Sequence, residues 1–160
     1  MGQGLVRVED ELWLYYSGSP LRHQEAELEN LTKPENARVY SRVVARLDRF
    51  VAATATARGG SFRSPPLRFT GNRLKLNVRV RRGGRVRVGL LDEAGQPLSK
   101  YSVSDCESIV ADSLSKTVQW KTGSDVRGRE TKPTRLHVEM SNAQLFGFQF
   151  TSDKAENRPR

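Results

Sequence analysis

The sequence is poor in several residue types, and each shortage removes a class of chemistry. Cys106 is the only cysteine, so no disulfide can form within the chain. With it stand just two histidines, His23 and His137, too few for a tetrahedral zinc site built from nitrogen and sulfur. No apolar run approaches the roughly 18 residues of a membrane-spanning helix. The opening MGQGLVRVEDE lacks a hydrophobic signal core, so no export signal is expected in the chain as written. Neither GxGxxG after a strand nor GxxxxGK[ST] occurs, and no cofactor is expected. Helical periodicity is thin. Only RHQEAELENLTKP reads as one short helix, with Leu28 and Leu31 as its apolar residues and Pro34 beyond its end.

Acidic residues are also outnumbered. The chain holds 27 Lys and Arg against 18 Asp and Glu, for a net charge of +9. Twenty of the basic residues are arginine and seven are lysine. Seven of those arginines and Lys75 fall between Arg68 and Arg87. Such a stretch can attract nucleic acid or an anionic polymer through counterion release. The plainer reading is a solvated outer face.

What is abundant is alternation of period two. In RLKLNVRVRRGGRVRVGLL, Leu74, Leu76, Val78 and Val80 fall on one face, and Val86, Val88 and Leu90 resume after Gly83-Gly84. Two alternating runs around a Gly-Gly pair predict a β-hairpin with one buried and one wet face. Lys75, Arg79, Arg85 and Arg87 would share the wet face as an anion-binding set. Aromatics interleaved with the cations, which single-strand nucleic-acid binders use, are missing there, so nucleic acid is the less favoured partner. An anionic polysaccharide suits the face as well. Leu136, Val138 and Met140 alternate in RLHVEM, and Phe146, Phe148 and Phe150 in LFGFQF predict one strongly apolar face. Val118 and Trp120 do so more briefly. Turn signals at Gly59-Gly60, Pro65-Pro66, Gly71-Asn72, Ala94 to Pro97 and Gly123 to Asp125 separate these runs. Many short strands at that spacing predict an all-β protein with an antiparallel β-sandwich, jelly-roll-like in kind.

Three segments are expected: residues 1–47, a sandwich over 48–150, and a disordered tail over 151–160 that has no apolar residue beyond one alanine. In the first segment LVRV, a turn at Glu9-Asp10 and ELWLYY predict a hairpin, with a third strand in ARVYSRVVARL. Trp13 and Tyr15 share one face of ELWLYY; Leu12, Leu14 and Tyr16 share the other. A strand apolar on both faces needs cover on both sides, which two or three strands cannot supply. Trp13, Tyr15 and Tyr16 could form a sugar-stacking platform, but aromatics on a two-sided strand read first as core.

VARLDRFVAA and GGSFRSPPLRFTGNRLKLNV, followed by LLDEAGQPLSKYSVSDCESIVADS, VQWKTGSDV and AQLFGFQF, resemble a particular C-terminal β-sandwich. It belongs to bacterial proteins related to five-bladed-propeller glycoside hydrolases of the invertase and arabinanase type. The resemblance covers Arg46 to Phe150 with its elements in order. It implies that ELWLYYSGS, with His23 after it, is a remnant of the last propeller blade, a short hairpin or three-strand sheet ahead of the sandwich. It further implies an extracytoplasmic setting, and a propeller domain or chain that supplies the missing blades. The chain departs from the pattern where Arg49 stands after Asp48 in place of a glycine, so the joint there is expected to be shaped differently.

The implied function is that of a non-catalytic accessory domain, structural and weakly carbohydrate-binding, inactive as an enzyme by itself. Hydrolases of this type need converging carboxylates, one with a raised pKa, and the family carries them in earlier blades. Glu9, Asp10, Glu11, Asp92, Glu93, Asp105, Asp112 and Asp125 lie in predicted turns, where carboxylates usually bond backbone amides. No catalytic residue is assigned. Tyr101 and Trp120 are the candidate carbohydrate contacts, unless both are buried. Asp105, Asp112 and Asp125 have the right chemistry for calcium but a spacing that matches no known loop, and no metal site is assigned. Cys106 reads as a small core residue.

Overall fold

A computed structural model describes residues 4–19, 39–130 and 132–152. The candidate helix over 22–34 with His23 falls outside them, as does the tail from residue 153 onward. Every regular element among the described residues is a strand. The chain is all-β, with two antiparallel sheets, and divides into two units, residues 1–47 and 48–160.

The first unit is a three-stranded sheet in the order β1-β2-β3: β1 Leu5–Val8, β2 Glu11–Gly18 and β3 Val39–Arg46. Glu9 adopts a positive φ of 51° in the turn between the first two. Opposed residues of antiparallel strands share a face, and the register therefore sorts the side chains. Leu5, Leu14 and Val43 line up on one face, and Val6, Trp13 and Val44 on the other. Both faces are open: Val43 is 52% and Val44 44% exposed. Trp13 finds its polar partners at the surface. Its indole N–H donates to the Glu11 carboxylate at 2.8 Å, and the Arg42 guanidinium lies 3.7 Å from the ring centre.

The second unit is a five-stranded sheet: β4 Ala53–Ala55, β5 Gly60–Arg63, β6 Arg73–Leu91, β7 Asp112–Thr117 and β8 Arg135–Thr151. Its order is β4-β8-β6-β7, with β5 also on β8. The expected hairpin over 73–91 does not form. Those 19 residues make one strand, and both of its alternating runs pair with β8. The Gly-Gly pair is a corner instead of a turn: Arg81 to Gly84 stand opposite Asn142 alone. Bulges of this kind let a strand pass from one layer of a sandwich to the other. Asn142 takes a positive φ of 44° on the partner strand. Gly84 is pressed so closely on it that a Cβ would lie 2.5 Å from the Ser141 carbonyl oxygen. Folded at this corner, the sheet turns both halves of its apolar face inward. Leu74, Leu76 and Val78 from one limb meet Val86, Val88 and Leu90 from the other in a single buried cluster. The result is sandwich-like, made by curling one sheet.

The aromatic run at the end of β8 also departs from expectation. Phe146 is an extra residue, because Asn77 pairs with Gly147 and Val78 with Leu145. The buried positions just before it are Ala143 and Leu145, and Phe148 beyond it is 38% exposed. Only Phe150 of the three packs on the core, stacked at 3.5 Å on Phe69.

Arg49, placed where the resemblance expects glycine, is a working part of this unit. Its guanidinium donates to Asn77 Oδ1 at 2.9 Å and Val78 O at 3.2 Å, and pairs with Asp112 at 2.7 Å. It also covers the Phe146 ring at 4.8 Å. The left-handed residue is Asp48, with φ of 55°. The strained backbone therefore falls one position before Arg49, whose side chain pins the start of the unit to β6, β7 and β8.

Candidate functional site

Tyr101 and Trp120 are brought together, Trp120 within the core and Tyr101 half-buried against it. Trp120 is 1% exposed, so neither ring face can meet a sugar. Its indole N–H donates to Val88 O at 2.8 Å, and Tyr101 meets it edge-on at 5.3 Å. The Tyr101 hydroxyl in turn donates to the Asp125 backbone oxygen at 3.0 Å. The reason lies in the free edge of β6. Every second residue of a strand turns its backbone groups away from one neighbour, and a buried orphan N–H or C=O is costly. On this edge Val86 exchanges backbone bonds with Ile109, and Leu90 bonds Tyr101 and Leu98. Between them Val88 gives its N–H to Cys106 Sγ at 3.3 Å and its C=O to Trp120. Side chains finish a ladder that the loop cannot. Burial pushes the Cys106 thiol pKa up, which keeps it protonated and unreactive.

The carboxylates are spread out and engaged. Asp105 accepts from the Ser102 hydroxyl at 2.7 Å and from Lys121 at 3.0 Å, which holds its pKa below the usual carboxylate value. Asp125 is held down in the same sense by Arg127, whose Nε donates at 2.7 Å and whose backbone N–H donates at 2.8 Å. Asp112 pairs with Arg49 and Arg79. A general acid for glycoside cleavage needs the opposite shift. Among the described residues no three His, Cys, Asp or Glu are grouped to hold a metal ion, and the candidate calcium trio is divided among separate cation partners.

The four predicted cations lie strung along one strand, where a hairpin would have set them face to face. Arg79 sits beside Asp112 at 3.6 Å. Lys75 lines a shallow cleft of about 150 Å³ with Asp48, Asn77, Leu114, Phe146, Phe148 and Gln149. That cleft joins apolar residues, Leu114, Phe146 and Phe148, to several residues with hydrogen-bonding side chains. The apolar face expected of Phe146, Phe148 and Phe150 is only partly used: Phe148 pairs with the buried Leu76 and is still 38% exposed.

Arg85 and Arg87, past the corner, line a different groove of about 540 Å³. Glu139 on β8 stands opposite Arg87 on one side and Ser61 of β5 on the other, with Ser141 opposite Arg85. Arg58, from the turn between β4 and β5, completes the wall. Gly59, Gly60 and Gly83 also line it, and their missing side chains leave it wide. Arg87 donates from Nε to Ser108 Oγ at 2.9 Å. Arg58 and Arg85 have no side-chain hydrogen bond or ion pair among the described residues. Three guanidiniums thus share one groove with a single carboxylate. Arg58 was not singled out from sequence, because only the β4–β5 turn brings it near β6. Searched against protein-family models, curated proteins and solved structures, the chain matches none.

Proposed function

We propose that this chain is a non-catalytic accessory β protein of the glycoside-hydrolase-like kind suggested by its sequence. In this reading the three-stranded sheet is a blade-like element that stacks between the sheets of a propeller, and the curled second unit is a brace that handles carbohydrate. The observation that carries it is the sheet of β1, β2 and β3, apolar and open on both faces. A solvated antiparallel sheet normally keeps one face polar, and a blade in a radial stack is covered on both. Scattered, cation-paired carboxylates support the non-catalytic part of the reading.

Sedimentation velocity tests the first claim. The chain is expected to self-associate with rising concentration as open faces find one another, and the double variant Leu14→Lys, Val43→Lys is expected to stay monomeric. A chain that remains monomeric at all concentrations, and gains nothing from that variant, refutes the stacking role. The saccharide contact of the brace is assigned to the cleft lined by Phe146 and Phe148 together with Asp48, Asn77 and Gln149. Affinity electrophoresis through gels of neutral plant polysaccharide is expected to retard the chain, and Phe148→Ala to abolish the retardation. Equal mobility of both proteins in every gel removes that assignment.

A further inference from the structure

We infer that the groove walled by Arg58, Arg85 and Arg87 is a binding site for an acidic saccharide, a sugar chain that carries carboxylate or sulfate groups. The site lies wholly in the second unit, and neither its occupant nor its test depends on what covers the three-stranded sheet.

The first argument is charge balance. On the other limb of β6, Arg79 and the buried Arg49 share Asp112, so that surface is partly neutralised. In the groove Arg58 and Arg85 have no acidic partner among the described residues. Two unneutralised guanidiniums beside a third attract an anion, and their planar donor forks match carboxylate and sulfate oxygens in pairs.

The second argument separates a saccharide from other anions. Glu139 lies directly across from Arg87 in the same groove, with His137 of its own strand 3.9 Å away. A continuous phosphate backbone would be repelled there. A sugar chain carries hydroxyls, which donate to a carboxylate, between its acidic groups. Ser61 and Ser141 on either side add hydroxyls that both donate and accept. No aromatic side chain lines the groove, so bases have nothing to stack on. Its volume of about 540 Å³ lies in the usual range for a ligand site.

The test is isothermal calorimetry on the whole chain with four probes. These are a heparin-derived hexasaccharide, hexagalacturonate, neutral maltohexaose and a twelve-residue oligothymidylate. At least one acidic hexasaccharide is expected to bind, with affinity that weakens as salt rises. The better of the two assigns sulfate or carboxylate as the recognised group. Arg58→Ser with Arg85→Ser is expected to weaken that binding about tenfold or more, as loss of charge-assisted hydrogen bonds does. Arg79→Ser, on the opposite limb, is expected to change it less than about twofold. Glu139→Lys is the sharper variant. It adds positive charge, so plain polyanion attraction would strengthen, whereas a site that uses Glu139 as a hydroxyl acceptor weakens. All four substitutions are at exposed side chains, and unchanged circular dichroism and melting establish that the fold survives. The proposal is overturned by any of four results: no binding of either acidic hexasaccharide, an equal loss on Arg79→Ser, tighter binding on Glu139→Lys, or tighter binding of the oligothymidylate.

Discussion

The two units are built from the same kind of strand and solve the problem of burial in opposite ways. In the second, a sheet of five strands closes on itself at a corner, and one apolar face disappears into a core around Trp120. In the first, three strands lie side by side with no corner, and both apolar faces remain open. Each unit holds one tryptophan, and the two make the contrast concrete. Trp120 is sealed in and caps a backbone carbonyl; Trp13 satisfies its indole with a glutamate and an arginine at the surface. The lesson is that alternation makes a strand, but only curvature or company makes a core.

That comparison can be broken in order of effect. Trp120→Ala removes the largest buried side chain and orphans Val88 O, so it is expected to cost about 3–5 kcal/mol, a large share of the roughly 5–15 kcal/mol that holds a domain. Trp13→Ala is expected to cost nearer 1 kcal/mol, the usual scale for a residue outside a core. Urea denaturation followed by circular dichroism measures both; similar losses would mean that the first unit has a core of its own. A smaller contrast tests the corner. Gly84→Ala forces a methyl group against the Ser141 and Asn142 carbonyls and is expected to cost about 2 kcal/mol. Gly147→Ala, with nothing within 4 Å of the added carbon, is expected to stay within about 0.5 kcal/mol of wild type. If both glycines tolerate alanine, the bend does not depend on close backbone approach. The smallest effect belongs to Leu14→Lys with Val43→Lys. Its influence on the unfolding of the second unit should be nil, however strongly it changes self-association.

Strand existence was legible wherever one face is greasy and the other charged, as in Leu74 to Leu90 and Leu136 to Met140. β1, β2 and β3 were legible from LVRV, ELWLYY and ARVYSRVVARL as short apolar runs set off by turn residues, although ELWLYY is apolar on both faces. β7, with the sequence DSLSKT, left little trace because just one of its six residues is large and apolar. The connection of Val80 to Arg85 was misread because Gly-Gly serves a tight hairpin and a layer-crossing bulge equally well; what decides between them is whether a third strand runs alongside, and that strand lies some fifty residues later. The burial that removes Trp120 as a carbohydrate contact was not legible, because its role depends on the unpaired edge of β6, which no local pattern reveals. The candidate groove was half legible. Arg85 and Arg87 announce themselves on the wet face, while Arg58 and Glu139 reach them only through pairing with β8.

Sequence by itself determined that this chain is all-β, strongly basic, and divided into a short doubly apolar part and a longer one with a single greasy face. Those properties follow from period-two patterning and charge, which act residue by residue. Tertiary structure alone decided that β6 bends where it could have turned, that Phe148 leaves the core while Trp120 enters it, and that three arginines from two distant segments share a groove. Each of these depends on which strand lies beside which, and strand pairing is a long-range choice made by the whole buried face at once.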